Sequence, residues 1–420
     1  MNQIKASKST NISLFIIFLT VFIDYFALGV AFPIFTPLYF DIKHSIFDPS
    51  VLLPERTLKF GLMAGFWSLG QFIGAPILGA ISDRIGRRKV IAFAFTVNIF
   101  CYLLFALGIF MKEYYILLLA RTLAGLGGTS LPIVQSAIAD HSSEENKAKN
   151  FGLVGVGFGL GFIMGALLGG LLSDNTIVSW FNFATPFFFI AILTVINVIF
   201  LWLKFPDVKH VIPSSKVSAL SGFRNIGKAF GNPNLRNIFT VIFIMNIGFV
   251  FFIVYYQFYA EHEYNLDTTQ LGYVIAYFSL WVGITQGIII RPMSKLFSPV
   301  RGMLIFMPLF AISYLLMLIP NNLPQIFLWF PFLPLFQGMV YPNSLAIVSN
   351  SADKTIQGEI IGINQSVISL SSAIPTILAG IVVSQLISFT MWLGAVCTII
   401  AWIIFYHHHW KKRQDKFRDK

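Results

Sequence analysis

The sequence predicts an all-α polytopic membrane protein with twelve transmembrane helices in two halves of six. Of its 420 residues, 56% are hydrophobic and 11% are charged, and the mean hydropathy is +0.76. That is more apolar surface than the core of a water-soluble protein buries. Apolar runs of ~20 residues, the length that spans ~30 Å of hydrocarbon, recur twelve times. A polar stretch at 205–234 separates the first six runs from the last six.

The predicted helices follow one another in order with short connections. The runs lie at 13–39, 58–81, 89–110, 115–139, 151–173, 181–203, 235–260, 270–290, 302–319, 323–348, 356–383 and 387–407. Polar residues and prolines mark the stretch after the sixth run as a linker. The predicted organisation is a six-helix bundle at 1–204, a cytoplasmic linker at 205–234, a second bundle at 235–410 and a basic tail at 411–420.

The two halves are weakly similar to each other after the fourth helix of each. Ala139-Asp140 follows that helix in the first half, and Ser351-Ala352-Asp353 follows it in the second. Repeated halves are typical of transporters built from two pseudosymmetric bundles. Because the outer loops are too short to fold as a domain, we place the functional site inside the bundles.

Basic residues are distributed as the positive-inside rule requires for a chain with both termini in the cytoplasm. With that orientation, the outer loops hold Lys43, Arg56, Lys59 and Lys112. Arg121 lies within a helix, and the other members of the 29 Lys and Arg fall on the inner side. The net charge of +11 is therefore a topology signal and does not indicate a nucleic-acid partner. We expect the basic tail to lie near anionic membrane lipid.

Asp24 is the acidic residue of the first predicted helix, in an otherwise almost wholly apolar run. A carboxylate at that depth costs about 2.5–3.5 kcal/mol on insertion scales, so it implies a partner, a proton or a water-filled cavity. A structural acid that joins two helices is one interpretation. A proton- or substrate-coupled site is the interpretation we favour, because an intramembrane ionisable residue is a functional hypothesis by default.

Arg121 is the matching charge in the fourth predicted helix. Helical rise places Asp24 ~18 Å from the cytoplasmic start of its helix and Arg121 ~9 Å from the outer end of its own. The two charges therefore lie at similar depth, and we expect them to form a pair or near-pair that one proton modulates. The alternative is that Arg121 extends to the outer interface without meeting Asp24.

The connection between the second and third predicted helices carries a dense charge motif. It reads Gly79-Ala80-Ile81-Ser82-Asp83-Arg84-Ile85-Gly86-Arg87-Arg88-Lys89. We expect Gly79 and Gly86 to permit a tight turn and Asp83 to cap a helix N-terminus. The arginines supply charge-assisted bonds that can form in one conformation and break in another. An ordinary charged loop would signal topology alone, but this spacing resembles the loop signature of the major facilitator superfamily.

The resemblance implies a cytoplasmic latch between the two bundles. In the family, the aspartate of this loop lies at the start of the eleventh helix, and an arginine reaches an acid at the end of the fourth. Carried over, the latch is Asp83, Arg87 and Asp140, near Glu359. The gate as a whole comprises Gly79, Asp83, Arg84, Gly86, Arg87, Arg88, Asp140 and Glu359. The run 119–127 around Arg121 is similar to the family's second signature, which is centred on a buried arginine.

Glycines recur at every fourth position in the fifth and eighth predicted helices, a spacing that lets another backbone approach closely. They are Gly157, Gly161, Gly165 and Gly169, then Gly283 and Gly287. The run 165–170 is similar to the antiporter signature of drug/proton exporters of the family, with Ala166 where those usually have proline. Close packing alone is the other interpretation of these glycines.

Resemblance to the tetracycline-exporter branch extends through the first six helices and then thins. It includes Asp24-Tyr25, Ile138-Ala139-Asp140 and the run 158–163. Tetracycline exporters carry an acid in the third helix, where this chain has Cys101-Tyr102. We therefore expect a substrate other than tetracycline.

Amide and aromatic side chains inside the predicted spans are candidates for a substrate cavity, because hydrocarbon leaves a lone amide unsatisfied. They are Gln135, Asn246, Tyr256, Gln257, Trp281, Gln286, Gln337, Asn343, Asn364 and Gln365. The sequence contains no metal-binding motif or phosphate-binding loop, and three consecutive histidines at 407–409 point in different directions on a helix. We expect no metal and no cofactor, with the proton gradient as the energy source.

The sequence thus predicts a proton-coupled secondary transporter that works by alternating access and exports a small amphipathic organic molecule. We expect a monomer in a bacterial inner membrane. A symporter that imports a nutrient on the same scaffold is the alternative. A membrane-embedded receptor or enzyme is a third possibility, but it would need an output domain or clustered catalytic groups, and the sequence shows neither.

Overall fold

Twelve helices among the described residues are long and apolar enough to cross a membrane. The structure is a computed structural model that describes residues 2–40, 45–140, 144–205, 227, 230–231, 233–264, 266, 268–351, 357–382 and 389–418. The predicted all-α polytopic fold with twelve spans is confirmed. The chain divides into two units, Met1–Ser221 and Gly222–Lys420. The division falls in the predicted linker, of which residues 206–226 lie outside the described part.

Among its described residues, the N-terminal unit contains seven helical segments that make six spans. They are α1 (Asn2–Phe40), α2 (Leu53–Ile85), α3 (Arg87–Met111), α4 (Tyr114–Gly127), α5 (Leu131–Asp140), α6 (Glu144–Ser173) and α7 (Thr185–Lys204). A helix satisfies its own backbone polar groups, which is why apolar segments of this length cross lipid as helices. Within the unit, α6 packs against α1, α4 against α2, and α7 against α3.

Two apolar clusters form the core of the N-terminal unit, and α1 contributes to both. One contains Phe26 and Val30 of α1, together with residues of α3, α4 and α7. The other contains Ile17 and Val21 of α1, together with residues of α2, α3, α5 and α7. Asp24 therefore lies on α1 at the level where one cluster gives way to the other.

The described residues of the C-terminal unit form eight α-helices and one π-helical turn. The helices are α8 (Pro233–Tyr264), α9 (Thr268–Ile284), α10 (Ile290–Leu296), α11 (Pro299–Leu316), α12 (Leu323–Trp329), α13 (Phe332–Asn350), α14 (Gln357–Val382) and α15 (Phe389–Arg418). The π-helical turn, Thr285–Ile289, joins α9 to α10. Within the unit, α15 packs against α8 and α11, α13 against α11, and α14 against α8.

Three spans differ from the continuous helices that the sequence predicts. The fourth is interrupted at Gly128–Ser130, between α4 and α5. The tenth is divided into α12 and α13, and the eighth contains the π-helical turn. Hydropathy averages over a whole span and does not detect such local changes, which are common at functional sites.

Candidate functional site

Asp24 lies within the first span, Phe15–Phe40, and its carboxylate has a specific partner. The hydroxyl of Ser130 donates a hydrogen bond to Oδ2 of Asp24. Ser130 is 2% exposed, whereas Asp24 keeps part of its side chain exposed. A hydroxyl donor bonds more strongly to an ionised carboxylate than to a protonated acid, because the bond to the carboxylate is charge-assisted. The strength of this contact therefore depends on whether Asp24 carries a proton.

Ser130 owes its position to the interruption of the fourth span. Gly127 and Gly128 end α4, and Pro132 is the second residue of α5, where its missing N–H costs no helical bond. Side chains replace the backbone bonds that the interruption removes. The hydroxyl of Thr129 donates to the carbonyl of Gly125 at 2.7 Å, and the amide of Asn98 donates to the carbonyl of Gly128 at 3.1 Å.

Tyr102 of α3 is near both Asp24 and Arg121. Its hydroxyl is within electrostatic range of both Asp24 and Arg121. Tyr25, next to Asp24 in sequence, is also within electrostatic range of that carboxyl and packs edge-on against Phe158 of α6, with ring centroids 4.7 Å apart. Asp24 is thus surrounded by hydroxyl groups from α1, α3 and the start of α5.

The predicted ion pair between Asp24 and Arg121 is not formed, as far as the described residues show. Arg121 instead lies over two rings, with Cζ at 4.9 Å from the ring centroid of Trp67 and 5.5 Å from that of Phe35. An aromatic face stabilises a desolvated cation by roughly 2 kcal/mol, which lets Arg121 remain in the bundle without a carboxylate. Helical rise predicts the depth of a residue along its span and not its azimuth, so it could not distinguish the predicted pair from a near-pair.

The glycine stripe of α6 lies against α1 on both sides of Asp24. A Cβ on Gly157 would come within 2.7 Å of Val21 Cγ1, and one on Gly169 within 2.9 Å of Val30 Cα. Cβ atoms on Gly161 and Gly165 would overlap the carbonyl oxygens of Phe22 and Phe26. The two backbones are therefore in contact, and this contact fixes the position of Asp24 in the unit. Gly283 lies in α9 and Gly287 in the π-helical turn.

The loop signature forms a turn in which one glycine is required. Gly86 has φ 99°, a conformation that favours glycine, and it both ends α2 and precedes α3. Gly79 is helical, and a Cβ on it would meet no atom within 4 Å, so the prediction that Gly79 permits the turn is wrong. Its carbonyl has a different role, because it accepts from the hydroxyl of Ser82 at 2.7 Å.

The two arginines after the turn contact different neighbours. Arg87 is 6% exposed, and its Nη1 donates to the hydroxyl oxygen of Ser82. Arg88 lies over the Trp202 ring at 5.3 Å and donates to the carbonyl of Phe205 at 3.2 Å, so it joins the start of α3 to the end of α7. The side chains of Asp83, Arg84, Asp140 and Glu359 lie outside the described part, and the latch remains a prediction.

The C-terminal unit contains a neutral polar network centred on Asn246 of α8. Its Nδ2 donates to the hydroxyl oxygens of Ser371 and Ser372, both at 2.9 Å, and its Oδ1 accepts from the hydroxyl of Tyr341 at 3.1 Å. Asn246 is 4% exposed. The amide is already satisfied by α13 and α14, so it holds three helices together, a role that the sequence does not reveal.

Several other cavity candidates have polar atoms that are buried without a hydrogen-bond partner in the part of the chain that the structure describes. They are the hydroxyl of Tyr256, Nε1 of Trp281, Oε1 of Gln337 and Oδ1 of Asn364. The hydroxyl of Thr285, in the π-helical turn, has the same property. Gly338 packs on this turn, where its Cβ would lie 2.7 Å from Thr285 Cγ2. Unsatisfied buried groups are rare in native proteins, and each of these atoms has hydrogen-bonding capacity that a water or a ligand could use.

The remaining cavity candidates make local contacts or lie outside the described part. Asn343 donates to the carbonyl of Met339 at 2.7 Å, and Gln365 donates to the hydroxyl oxygen of Ser369 at 3.4 Å. Gln135 of α5 is half-buried, and Gln286 lies in the π-helical turn. The side chain of Gln257 lies outside the described residues.

Sequence reasoning missed Ser130, although a signal for it was present. Gly127-Gly128 followed by Pro132 is a breaker pattern inside an otherwise helical run, and a small polar residue between them is free to leave the helix. No comparable signal points to Trp67 or Phe35, since an aromatic residue in an apolar span is commonplace. Their contact with Arg121 depends on how α1, α2 and α4 pack.

Comparison with known proteins agrees with this architecture. The sequence model of the Major Facilitator Superfamily matches residues 14–290 and 250–420. The chain is 27% identical over 404 residues to tetracycline resistance protein, class C, of Escherichia coli, which covers 94% of each chain. It is 22% identical over 382 residues to multidrug resistance protein 2 of Bacillus subtilis, covering 90% of each. The crystal structure of the human organic anion transporter MFSD10 superposes with a TM-score of 0.78 at 18% identity, covering 94% of this chain and 99% of that one.

The chain therefore belongs to the Major Facilitator Superfamily. It is an integral membrane protein, and its relatives and its fold are those of transporters and not of enzymes.

Proposed function

We propose that this member of the superfamily is a proton-coupled exporter that uses alternating access to remove a small amphipathic organic molecule from the cytoplasm. The observation that carries the proposal is Asp24, an acid inside an apolar span whose carboxylate accepts from Ser130 and remains partly exposed. A titratable group at that depth is expensive unless it serves a proton or a substrate. The resistance proteins to which the chain is similar support export as the direction.

In the proposed cycle, Asp24 exchanges a proton against substrate. The ionised carboxylate is held by the Ser130 hydroxyl when substrate enters from the cytoplasm. Protonation from the outside removes the charge, and the neutral acid then permits the return step. Arg121, held by Trp67 and Phe35, contributes a fixed positive charge. The Asp83, Arg87 and Asp140 latch closes the cytoplasmic side.

The C-terminal unit supports a substrate with uncharged polar groups and aromatic surface. Between their ends, its described spans contain no Asp, Glu, Lys or Arg. The unsatisfied donor of Trp281 and the unsatisfied acceptors of Gln337 and Asn364 suit amide, carbonyl or hydroxyl groups. No cofactor is needed, since the proton gradient supplies the energy. We place the protein as a monomer in a bacterial inner membrane, with both termini in the cytoplasm and its basic tail near anionic lipid.

Uptake into inside-out vesicles with an acid interior tests this proposal. We expect accumulation of at least one probe from a panel of tetracycline, ethidium and a fluorescent organic anion, and loss of accumulation when nigericin collapses the pH gradient. Asp24→Asn keeps the shape and hydrogen bonding of the side chain but removes the titratable group, so it should abolish accumulation while the protein remains monodisperse. The matched control is Asp174→Asn, which changes an exposed outer aspartate and should leave accumulation unchanged.

Two results would contradict the proposal. Accumulation by Asp24→Asn at the wild-type level would exclude Asp24 as the coupling site. Proton-driven accumulation in right-side-out vesicles alone would identify a symporter and reverse the direction.

A further inference from the structure

The fourth span is interrupted at the level of Asp24, and its two halves are held differently. The outer half, α4, is in backbone contact with α2, because Cβ atoms on Gly74 and Gly125 would overlap the carbonyl oxygens of Leu126 and Trp67. The side-chain amide of Asn98 of α3 donates a hydrogen bond to the carbonyl of Gly128, the first residue of the interruption. The outer half therefore has little freedom to move relative to α2 and α3.

The inner half, α5, contains no glycine, and its side chains pack into an apolar cluster. Ile133, Val134, Ala137 and Ile138 are buried in the same cluster as Ile17 and Val21 of α1. Such a surface can slide or rotate by small amounts, since side chains have alternative rotamers and a backbone contact has none. The segment between the halves, Gly128–Ser130, has no helical structure, and two of its bonds are made by side chains. It is therefore suited to be a hinge.

The first turn of α5 faces the charge that changes in the proposed cycle. The carbonyl of Ser130 accepts from the N–H groups of Ile133 and Val134, both at 3.0 Å, so Ser130 is the residue that caps α5. A helix N-terminus attracts a nearby anion, and the attraction disappears when the anion is neutralised. Protonation of Asp24 would thus weaken the attachment of α5 to α1 at this point.

The other titratable groups near Asp24 do not change their charge at ordinary pH. Tyr25 of α1 and Tyr102 of α3 interact electrostatically with its carboxyl, and Tyr102 also interacts with Arg121 of α4. The side chains described for α6, those of residues 154–173, include no charged group. In α7 the one charged residue is Lys204, at the C-terminal end of the helix. The tyrosines are neutral at ordinary pH, so the charge that varies at this site belongs to Asp24.

We propose that Ser130 is the positioning residue that links the charge of Asp24 to α5, so that loss of the charge lets α5 move about the Gly128–Ser130 hinge. The proposal rests on the proposed function of Asp24. The link would act through the movement of α5. The ten residues of α5 span ~15 Å and end at Asp140, the residue expected in the cytoplasmic latch. Protonation of Asp24 would then affect the latch through the movement of a single rigid helix.

Thiol labelling of α5 tests this proposal without a transport substrate. Full-length protein in nanodiscs, with Cys101 and Cys397 replaced by alanine, carries Ser136→Cys on α5 as the probe. A second protein carries Ser173→Cys at the end of α6, which corrects for the effect of pH on thiol reactivity. The readout is the ratio of the two labelling rates with a methanethiosulfonate reagent, below and above the pH at which transport changes.

With Ser130 present, we expect the ratio to change about fivefold or more between the two pH values, the lower end of typical coupling effects. Ser130→Ala should remove this dependence, and Ser130→Thr, which restores a hydroxyl, should recover it. Ser130→Gly serves as a second hydroxyl-free variant if the alanine protein does not fold. Ser68→Ala is the matched control, because Ser68 is a buried serine of α2 that bonds the Ala64 carbonyl of its own helix.

Failure of this inference can be distinguished from failure of the proposed function. If Asp24→Asn abolishes the pH dependence but Ser130→Ala and Ser130→Gly keep it, Asp24 is the proton site and Ser130 is not the link. If the ratio does not depend on pH in a protein that transports with protons, α5 does not move and the inference is wrong. If Asp24→Asn keeps both pH-dependent labelling and proton-driven transport, the proposed function itself fails.

Discussion

The two units treat polar groups inside the membrane in different ways. In the N-terminal unit, Asp24 and Arg121 lie away from the ends of their spans, and each has a dedicated environment of hydroxyls or aromatic rings. In the C-terminal unit, the described spans carry Arg236 and Arg301 only near their ends, and the interior polar groups are neutral. Charge that can respond to a proton is thus concentrated in one unit, and neutral hydrogen bonding in the other.

The units also differ in what joins the helices around their buried polar groups. Glycines bring α6 into backbone contact with α1, and α4 into contact with α2, around the two charged residues. In the C-terminal unit, Asn246 and its hydroxyl partners join α8 to α13 and α14. Backbone contact positions a charged group rigidly, whereas a hydrogen-bonded network can be rearranged around a ligand. The comparison predicts different responses to mutation in the two units.

The largest expected effect is on the α1–α6 contact. Gly165→Ala places a methyl group where the Phe26 carbonyl lies, and overpacking of this kind costs about 1–3 kcal/mol. Gly170→Ala is the matched control, because no atom lies within 4 Å of its Cβ. We expect a clear loss of thermal stability and of proton-driven transport for the first variant and neither loss for the second. Equal melting temperatures of the two purified proteins would show that α6 does not constrain α1.

A smaller effect is expected from the Asn246 network. Asn246→Leu leaves the hydroxyl of Tyr341 buried without its acceptor, which costs about 1–3 kcal/mol, whereas Ser371 and Ser372 keep bonds to carbonyls of their own helix. Adding Tyr341→Phe removes the orphaned hydroxyl, so the double variant should be more stable than the single changes predict. The measurement is a double-mutant cycle of thermal unfolding. Additive effects would mean that the two side chains do not depend on each other.

The sequence predicted the helices well because each span leaves an independent apolar signal. It identified Asp24 and Arg121 as candidate site residues because a charge in an apolar run is conspicuous. It could not predict that Ser130, and not Arg121, contacts Asp24, since that depends on the azimuth of four helices and on three residues between α4 and α5. It also treated Asn246 as a ligand group, because an amide in a span looks the same whether helices or a substrate satisfy it.

The smallest expected effect concerns the aspartates outside the membrane, which sharpen the contrast with Asp24. The backbone N–H and hydroxyl of Ser50 hold the pKa of Asp48 below its usual value, and the hydroxyl and N–H of Thr176 do the same for Asp174. A lowered pKa in the folded protein stabilises the fold above the unfolded-state pKa, about 3.9 for aspartate, and that contribution disappears as the pH falls through the folded-state value.

The double variant Asp48→Asn/Asp174→Asn should therefore be less stable than wild type near neutral pH, and this difference should disappear as the pH falls below about 4. Both residues are fully exposed, so the difference should be slight. The pH dependence of transport should not change, because neither carboxylate lies in a span. A shifted transport profile in this variant would mean that carboxylates on the outer surface take part in proton coupling, and Asp24 would no longer account for it alone.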